Sequence, residues 1–297
     1  NEKFKTLTNY CKDKNYHTYA DVHSDLVIPQ QGFDDFQIYD EEDVDLTVRH
    51  PNIIEYLSKN EKPFFLYLHY ESIHTTIKNE VLKKFNNFSK TYFDNKLENE
   101  ERYDKLFFEC EIYVKKIFEK IQETKLDENS IIVIFSDHGI SLGEKFGERA
   151  YGAFCYDYTI RTFFTMISKE FGSKLISNQV RHIDILPTML EILGIEIDNK
   201  YEKIDGKSLL SSLKNNDFHE EFAFTETANP LESSEPPKFP NTRSVRKSNW
   251  KLIHNEYNNT KELYNLENDP HECNNLIDQN HEFQEILENE LNKKINH

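Results

Sequence analysis

The sequence predicts an α/β fold with a small antiparallel subdomain at its carboxyl end, and three stretches carry the first part of that reading. Ile131-Ile132-Val133-Ile134-Phe135 is an unbroken apolar run, mostly β-branched, as expected of a strand buried on both faces of a parallel sheet. Phe64-Phe65-Leu66-Tyr67-Leu68-His69-Tyr70 follows Lys62-Pro63 and has the same character. Between the two, Tyr103, Leu106, Phe107, Cys110, Tyr113, Val114, Ile117, Phe118 and Ile121 recur at helical spacing, so residues 101–125 are expected to form a helix packed on the sheet. A helix that feeds a buried strand is the repeating unit of this class.

In chain order, Phe4 to Lys14 reads as a short helix, Asp13-Lys14-Asn15 as a turn and Tyr16 to Val22 as a strand. Gly32-Phe33-Asp34-Asp35-Phe36 reads as an exposed acidic loop anchored by two aromatics. A helix is expected after Pro51, and residues 78–100, rich in Lys, Asn, Glu and Phe, read as a surface excursion. Leu126-Asp127-Glu128-Asn129 turns the chain back into the strand at Ile131. Thr162 to Ile167 is a further expected strand, and His182 to Gly194 a helix with Pro187 near its first turn and Gly194 just past its end. Pro230 to Pro240 reads as a linker, Ser244 to Leu266 as antiparallel strands turning at Lys247-Ser248-Asn249, and Glu282 to Ile295 as an amphipathic helix. These elements divide the chain into residues 1–215, an α/β domain, and 216–297, an α+β subdomain.

Composition narrows the chemistry. A net charge of −17 over 297 residues repels the phosphate backbone, so nucleic acid is not an expected partner. An anionic ester would need a local metal or basic group to hold it in so acidic a chain. No apolar run reaches the roughly 20 residues of a membrane span. The four cysteines, Cys11, Cys110, Cys155 and Cys273, form no C-x-x-C pair, which gives neither a zinc site nor a disulfide framework, and Cys110 is expected to be a buried free thiol.

Both apolar strands run into polar residues, where open α/β sheets place their sites. The first ends in Glu71-Ser72-Ile73-His74 and the second in Ser136-Asp137-His138-Gly139. Asp137 and His138 are candidate metal ligands, since a carboxylate oxygen and an imidazole nitrogen both suit a divalent ion, and Gly139 lets the backbone turn sharply. His74 is a candidate general acid because imidazole titrates near neutrality. The loop from Ser141 to Gly152 carries three glycines that permit close backbone approach to a ligand. Bland readings fit other residues: His69 packed and hydrogen-bonded, Arg161 paired with a structural carboxylate, and His271-Glu272-Cys273 a surface turn. Asn87-Phe88-Ser89 and Asn258-Asn259-Thr260 match glycosylation sequons, as chance allows in an Asn-rich chain.

Taken together, His-Tyr-Glu-Ser-Ile-His at 69–74, Ser-Asp-His-Gly-Ile-Ser-Leu-Gly-Glu at 136–144, Tyr-Asp-Tyr-Thr-Ile-Arg at 156–161, Asp-Ile-Leu-Pro-Thr-Met-Leu-Glu-Ile-Leu-Gly at 184–194 and Asp-Gly-Lys-Ser-Leu at 205–209 resemble the sulfatase family. So does the tail, Trp250-Lys251-Leu252-Ile253 followed by Glu262 to Pro270. The resemblance implies an alkaline-phosphatase-like α/β/α sandwich with a small C-terminal antiparallel-sheet subdomain. It implies hydrolysis of a small-molecule or carbohydrate sulfate ester at a divalent metal, usually Ca2+, with Zn2+ or Mn2+ as alternatives. By the same resemblance Asp137 and His138 match the family's later metal ligands, and His74 matches the histidine that contacts the ester and helps protonate its leaving oxygen. Lys145 falls in the loop where related enzymes place basic side chains, and Tyr151 stands where many have His.

The family's nucleophile is a formylglycine made from Cys or Ser in C/S-x-P-x-R, and no such sequence occurs here; Asp34-Asp35 falls too late to replace the family's early Asp-Asp metal pair. The expectation is therefore a sulfatase fragment lacking its amino-terminal part. Phosphodiester or phosphonate hydrolysis, phospho-group transfer within the same superfamily, and a truncated non-catalytic relative are the alternatives.

Overall fold

The computed structural model describes residues 3–40, 43–76, 90–148, 152–229, 237–279 and 282–295. The first helix, α1 (Leu7–Asp13), starts three residues later than expected because Thr6 and Asn9 close a capping box. It leads into β1 (His17–Val22), and β2 (Asp35–Ile38) pairs with β1 in parallel from Tyr19 opposite Asp35. The stretch read as an acidic loop is therefore the entry to a strand, and its two carboxylates are engaged locally. Asp34 accepts from the Thr18 amide and hydroxyl and lies 2.6 Å from Lys12 Nζ, while Asp35 lies 2.6 Å from His17 Nε2.

The Lys12 hydrogen bond holds the Asp34 carboxyl down at about 2, against an ordinary 3.8. A depressed carboxyl contributes stability above its unfolded value and loses it as the pH falls through the folded one. Asp34→Asn is thus expected to lower the melting temperature near neutrality by about 2 °C, a modest effect because the pair is part-exposed. The two melting curves should meet as the pH falls from 3.8 towards 2. Identical melting at pH 7 would overturn the assignment.

The helix expected after Pro51 is α2 (Leu46–Ser58), which begins earlier because Asp45 caps it by accepting from the Thr47 amide; Pro51 lies inside. Then β3 (Phe64–Leu68) pairs in parallel with the other edge of β1, giving a three-stranded sheet of order β2-β1-β3. Three helices follow, α3 (Ser72–Thr76), α4 (Lys90–Asp94) and α5 (Lys96–Glu123), the last starting five residues before the expected boundary. On α5, Leu106, Tyr113 and Ile121 are buried, but Phe107 is 43% exposed and Cys110 only half-buried. Tyr113 joins Tyr39 and Leu46 in one core cluster, and its hydroxyl meets His50 Nδ1 at 2.7 Å. Asp21 of β1 is fully buried; Arg49 Nε and Nη2 donate to it at 2.7 and 2.8 Å, and His50 Nε2 lies 3.1 Å away. A buried carboxylate demands such partners.

The run at Ile131 forms β4 (Ile132–Phe135), and here the structure departs from expectation. Its partner is β5 (Phe164–Ile167), antiparallel, in a separate two-stranded sheet. No residue of β4 is fully buried and Phe135 is 40% exposed. Between them lies the short α6 (Asp157–Ile160). After a 3-10 turn at His182–Asp184, α7 (Ile185–Ile192) packs Leu190 against Tyr10 of α1, and α8 (Leu210–Asn215) follows.

The carboxyl-terminal sheet is antiparallel in the order β6 (Ala223–Thr227), β7 (Thr242–Lys247), β8 (Trp250–Asn255) and β9 (Thr260–Asn265). The β7–β8 turn falls at Ser248-Asn249, with Ser248 at φ +54°. Helix α9 (Glu282–Ile295) lays Leu287 and Leu291 on Val245, Leu252 and Leu263. His271-Glu272-Cys273 is not a surface turn throughout, since Glu272 is fully buried. Most of the Pro230 linker and the Asn87 sequon lie outside the described residues, as do residues 78–89 of the expected surface excursion over 78–100; its remainder is helical and buries Tyr92 and Asn99.

Candidate functional site

Three strands deliver polar side chains from their carboxyl ends: β1 places His23 one residue past its end, β3 places His69 and then Glu71, and β4 places Asp137 and His138. Glu71 organises the middle group. Its Oε1 lies 2.9 Å from His74 Nδ1 on α3 and its Oε2 lies 3.2 Å from His69 Nε2. Burial pushes the Glu71 carboxyl up, but the His74 hydrogen bond and the neighbouring imidazoles outweigh it and hold the group below the usual carboxylate range. Burial holds the His69 imidazole below its ordinary range, although the charges of Glu71 and Asp137 favour protonation.

The charge of Asp137, past the end of β4, favours the protonated forms of both His69 and Tyr67. The Asp137 side chain is 80% exposed, and its Oδ2 lies 3.6 Å from His138 Nε2. His138 turns its Nδ1 to the Gly139 carbonyl at 2.6 Å, and its Nε2 faces the Asp137 side. Gly139 donates its own amide to the Thr159 carbonyl at 2.8 Å, and a Cβ there would stand 2.3 Å from the Tyr158 carbonyl oxygen. Only glycine allows this approach, so α6 fixes the turn that presents Asp137 and His138.

Asp137 and His138 supply one carboxylate and one imidazole, a donor pair that fits part of the coordination sphere of a hard divalent ion. Among the described residues no group of three or more His, Cys, Asp or Glu side chains is arranged to hold a metal. Lys145 is not gathered with these groups. Its ammonium donates to the Glu272 carbonyl and lies 4.9 and 5.9 Å from the ring centres of Tyr156 and Tyr264. Tyr151 lies outside the described residues. Arg161 is exposed. A recess of 360 Å³ lined by Phe171, Ile192, Leu210 and Lys214 contains none of the site residues.

Two contributors escaped the sequence reading. His23 influences both His69 and Glu71, and its Nδ1 is buried without a hydrogen-bond partner, as is Nδ1 of His69. Its signal was the one that singled out His74, a histidine just past an inner strand. Tyr39, reached from β2, stitches the group together: its hydroxyl donates to the His69 carbonyl at 2.5 Å, and its ring lies edge-on to His23 with centroids 6.2 Å apart.

Comparison with known proteins adds an independent finding. The family model described as Sulfatase matches residues 1–195, and that described as N-sulphoglucosamine sulphohydrolase, C-terminal, matches residues 151–297. Among solved structures, a 2-O GAG sulfatase superposes with a TM-score of 0.73 at 18% identity, over 100% of this chain and 74% of its own. A protein in complex with its substrate D-glucosamine-2-N,6-O-disulfate gives 0.69 at 17%, over 99% and 82%. Ps i-CgsB in complex with k-i-k-neocarrahexaose gives 0.70 at 17%, over 96% and 73%. At these identities the structures speak for a shared fold.

Proposed function

Because the chain belongs to the sulfatase family, whose reaction is the hydrolysis of sulfuric esters, we propose that it acts on a sulfated carbohydrate at the site where β3 and β4 end. What supports this reading is that two apolar strands each end in a pair of polar side chains, Glu71 with His74 after β3 and Asp137 with His138 after β4. The D-glucosamine-2-N,6-O-disulfate and k-i-k-neocarrahexaose of the related complexes support carbohydrate as the substrate class.

In this reading Asp137 Oδ2 and His138 Nε2 hold a divalent cation, Ca2+ first and Zn2+ or Mn2+ next. When bound, such an ion would polarise the sulfate oxygens and stabilise charge that grows in the transition state. His74 protonates the leaving oxygen. Its Nδ1 is committed to Glu71, so the proton passes through Nε2, and the carboxylate keeps the ring oriented throughout. Lys145 and Tyr151 stay proposed substrate contacts, Lys145 only if its loop turns away from Glu272. The chain holds no C/S-x-P-x-R sequence, so no residue of it is assigned the family's nucleophile. The division into 1–215 and 216–297 is likewise our proposal, with the second part opening just before β6.

The test is turnover by the native-length protein on matched sulfate and phosphate esters of one sugar, with and without a chelator. Sulfate release that stops on chelation and returns with Ca2+ is the expected result. Phosphate release instead, or neither, would sink the proposal.

A further inference from the structure

Helix α5 carries apolar residues on two sides, and the fold covers one of them. Asn99, Leu106, Tyr113 and Ile121 are buried along the inner side. On the opposite side the helical repeat sets Leu97, Glu101, Asp104, Phe108, Ile112 and Lys115 in one row. Leu97 is 77% exposed, Phe108 65% and Ile112 46%, whereas the neighbouring Phe107 turns edge-on to the Tyr103 ring. A phenylalanine and an isoleucine one turn apart, open to solvent and rimmed by charge, mark an association surface.

The charges on this side are ordered. Glu101 and Lys105 stand one turn apart, as do Glu111 and Lys115, the spacing that suits an ion pair within a helix. None of these side chains forms one among the described residues, although Lys96 with Glu100, Glu98 with Arg102 and Lys116 with Glu119 do so on the same helix. Turned end for end about Phe108, the row complements itself. Glu101 falls opposite Lys115 and Lys105 opposite Glu111, while Asp104 falls opposite Ile112, one turn from Lys115. Laid parallel, the same row would set Glu101 on Glu101 and Lys115 on Lys115.

We propose that this side of α5 pairs with the same side of a second copy of the chain, the two helices antiparallel about a two-fold axis at Phe108. The Phe108 and Ile112 side chains form the dry centre, and the Glu–Lys pairs close around it. A different partner would need an unrelated surface with the inverse order of charge, whereas a second copy carries that order by construction. A two-fold pair is also closed, which suits a chain whose net charge of −17 opposes larger assemblies. None of these residues belongs to the site at the ends of β3 and β4, so pairing and turnover can be read separately.

Sedimentation equilibrium of the native-length protein tests the pairing. The parent should sediment as a dimer, and Phe108→Ser should raise its dissociation constant at least about 30-fold, as loss of a central aromatic does. Glu101→Lys and Lys115→Glu should each raise it at least about 10-fold by setting like charges face to face. Far-ultraviolet circular dichroism should be unchanged in all of them, because the replaced side chains are exposed. The sharpest sample is an equimolar mixture of the two charge variants. One then carries only positive and the other only negative charge at positions 101 and 115, so mixed dimers should form although neither variant pairs with itself. A monomeric parent overturns the proposal, as does a dimer indifferent to Phe108→Ser or a mixture that stays monomeric. A monomeric parent that Phe108→Ser destabilises would, in overturning it, assign this side of α5 to another segment of the intact protein.

Discussion

Replacing Asp137 with alanine in the native-length protein is expected to lower sulfate ester hydrolysis by more than about 100-fold, the scale on which removal of one electrostatic stabiliser from an active site is felt. Melting temperature should stay unchanged, because the Asp137 side chain is 80% exposed and its hydrogen bond runs only to the adjacent His138 amide. His138→Ala should do the same, with a parallel loss of divalent-ion affinity by calorimetry. The contrast with His74→Ala is informative. That variant should retain ion affinity and lose turnover most for substrates with poorly leaving alcohols, since a general acid matters most where the leaving oxygen is basic. An Asp137→Ala protein that keeps its activity would remove Asp137 from the site, whatever its family.

How far the sequence reveals this molecule depends on whether a residue's role is local. The strand end at Phe135 is legible because an apolar run stops where the chain turns polar, whereas the other strand stops at Leu68, two residues short of the expected Tyr70; the Ser-Asp-His-Gly turn needs the glycine that the Tyr158 carbonyl approaches. Helix α9 is legible to the residue because its apolar stripe and flanking charges are self-contained. Strand β4 shows the limit. Its composition announces burial on both faces, but pairing is a property of neighbours far away in sequence, and among the described residues only β5 pairs with it. Lys145 shows another. A basic residue in a glycine-rich loop suggests an anion, whereas two tyrosine rings and a carbonyl from the carboxyl-terminal subdomain claim its ammonium. His23 went unnoticed because its strand mixes Asp21 and Thr18 into the apolar pattern, and the partners that make those polar residues tolerable, Arg49 and Asp34, are themselves distant.

The second large effect belongs to Lys251, a lysine with no exposed surface in the middle of β8. Its ammonium lies 3.0 Å from Asp157 Oδ1 and 2.7 Å from Glu272 Oε1, and Arg246 reaches the other Asp157 oxygen at 2.9 Å. Glu272 in turn accepts the Asp157 amide at 2.7 Å. Burial pushes the Glu272 carboxyl up, and Lys251 opposes that shift. Lys251→Ala would leave two buried carboxylates facing each other with one cation at the rim, a loss of about 3–5 kcal/mol for breaking a buried pair from one side. For a chain of this size that corresponds to a fall in melting temperature on the order of 10 °C. The consequence reaches the site because Asp157 opens α6, and α6 carries the Thr159 carbonyl that holds Gly139. Lys251→Met together with Glu272→Gln should recover part of the stability, since it removes a buried charge of each sign at once. A single Lys251→Ala variant that melts with the parent would show that the ion network carries no net stability and that the apolar contacts of β8 hold the subdomain in place alone.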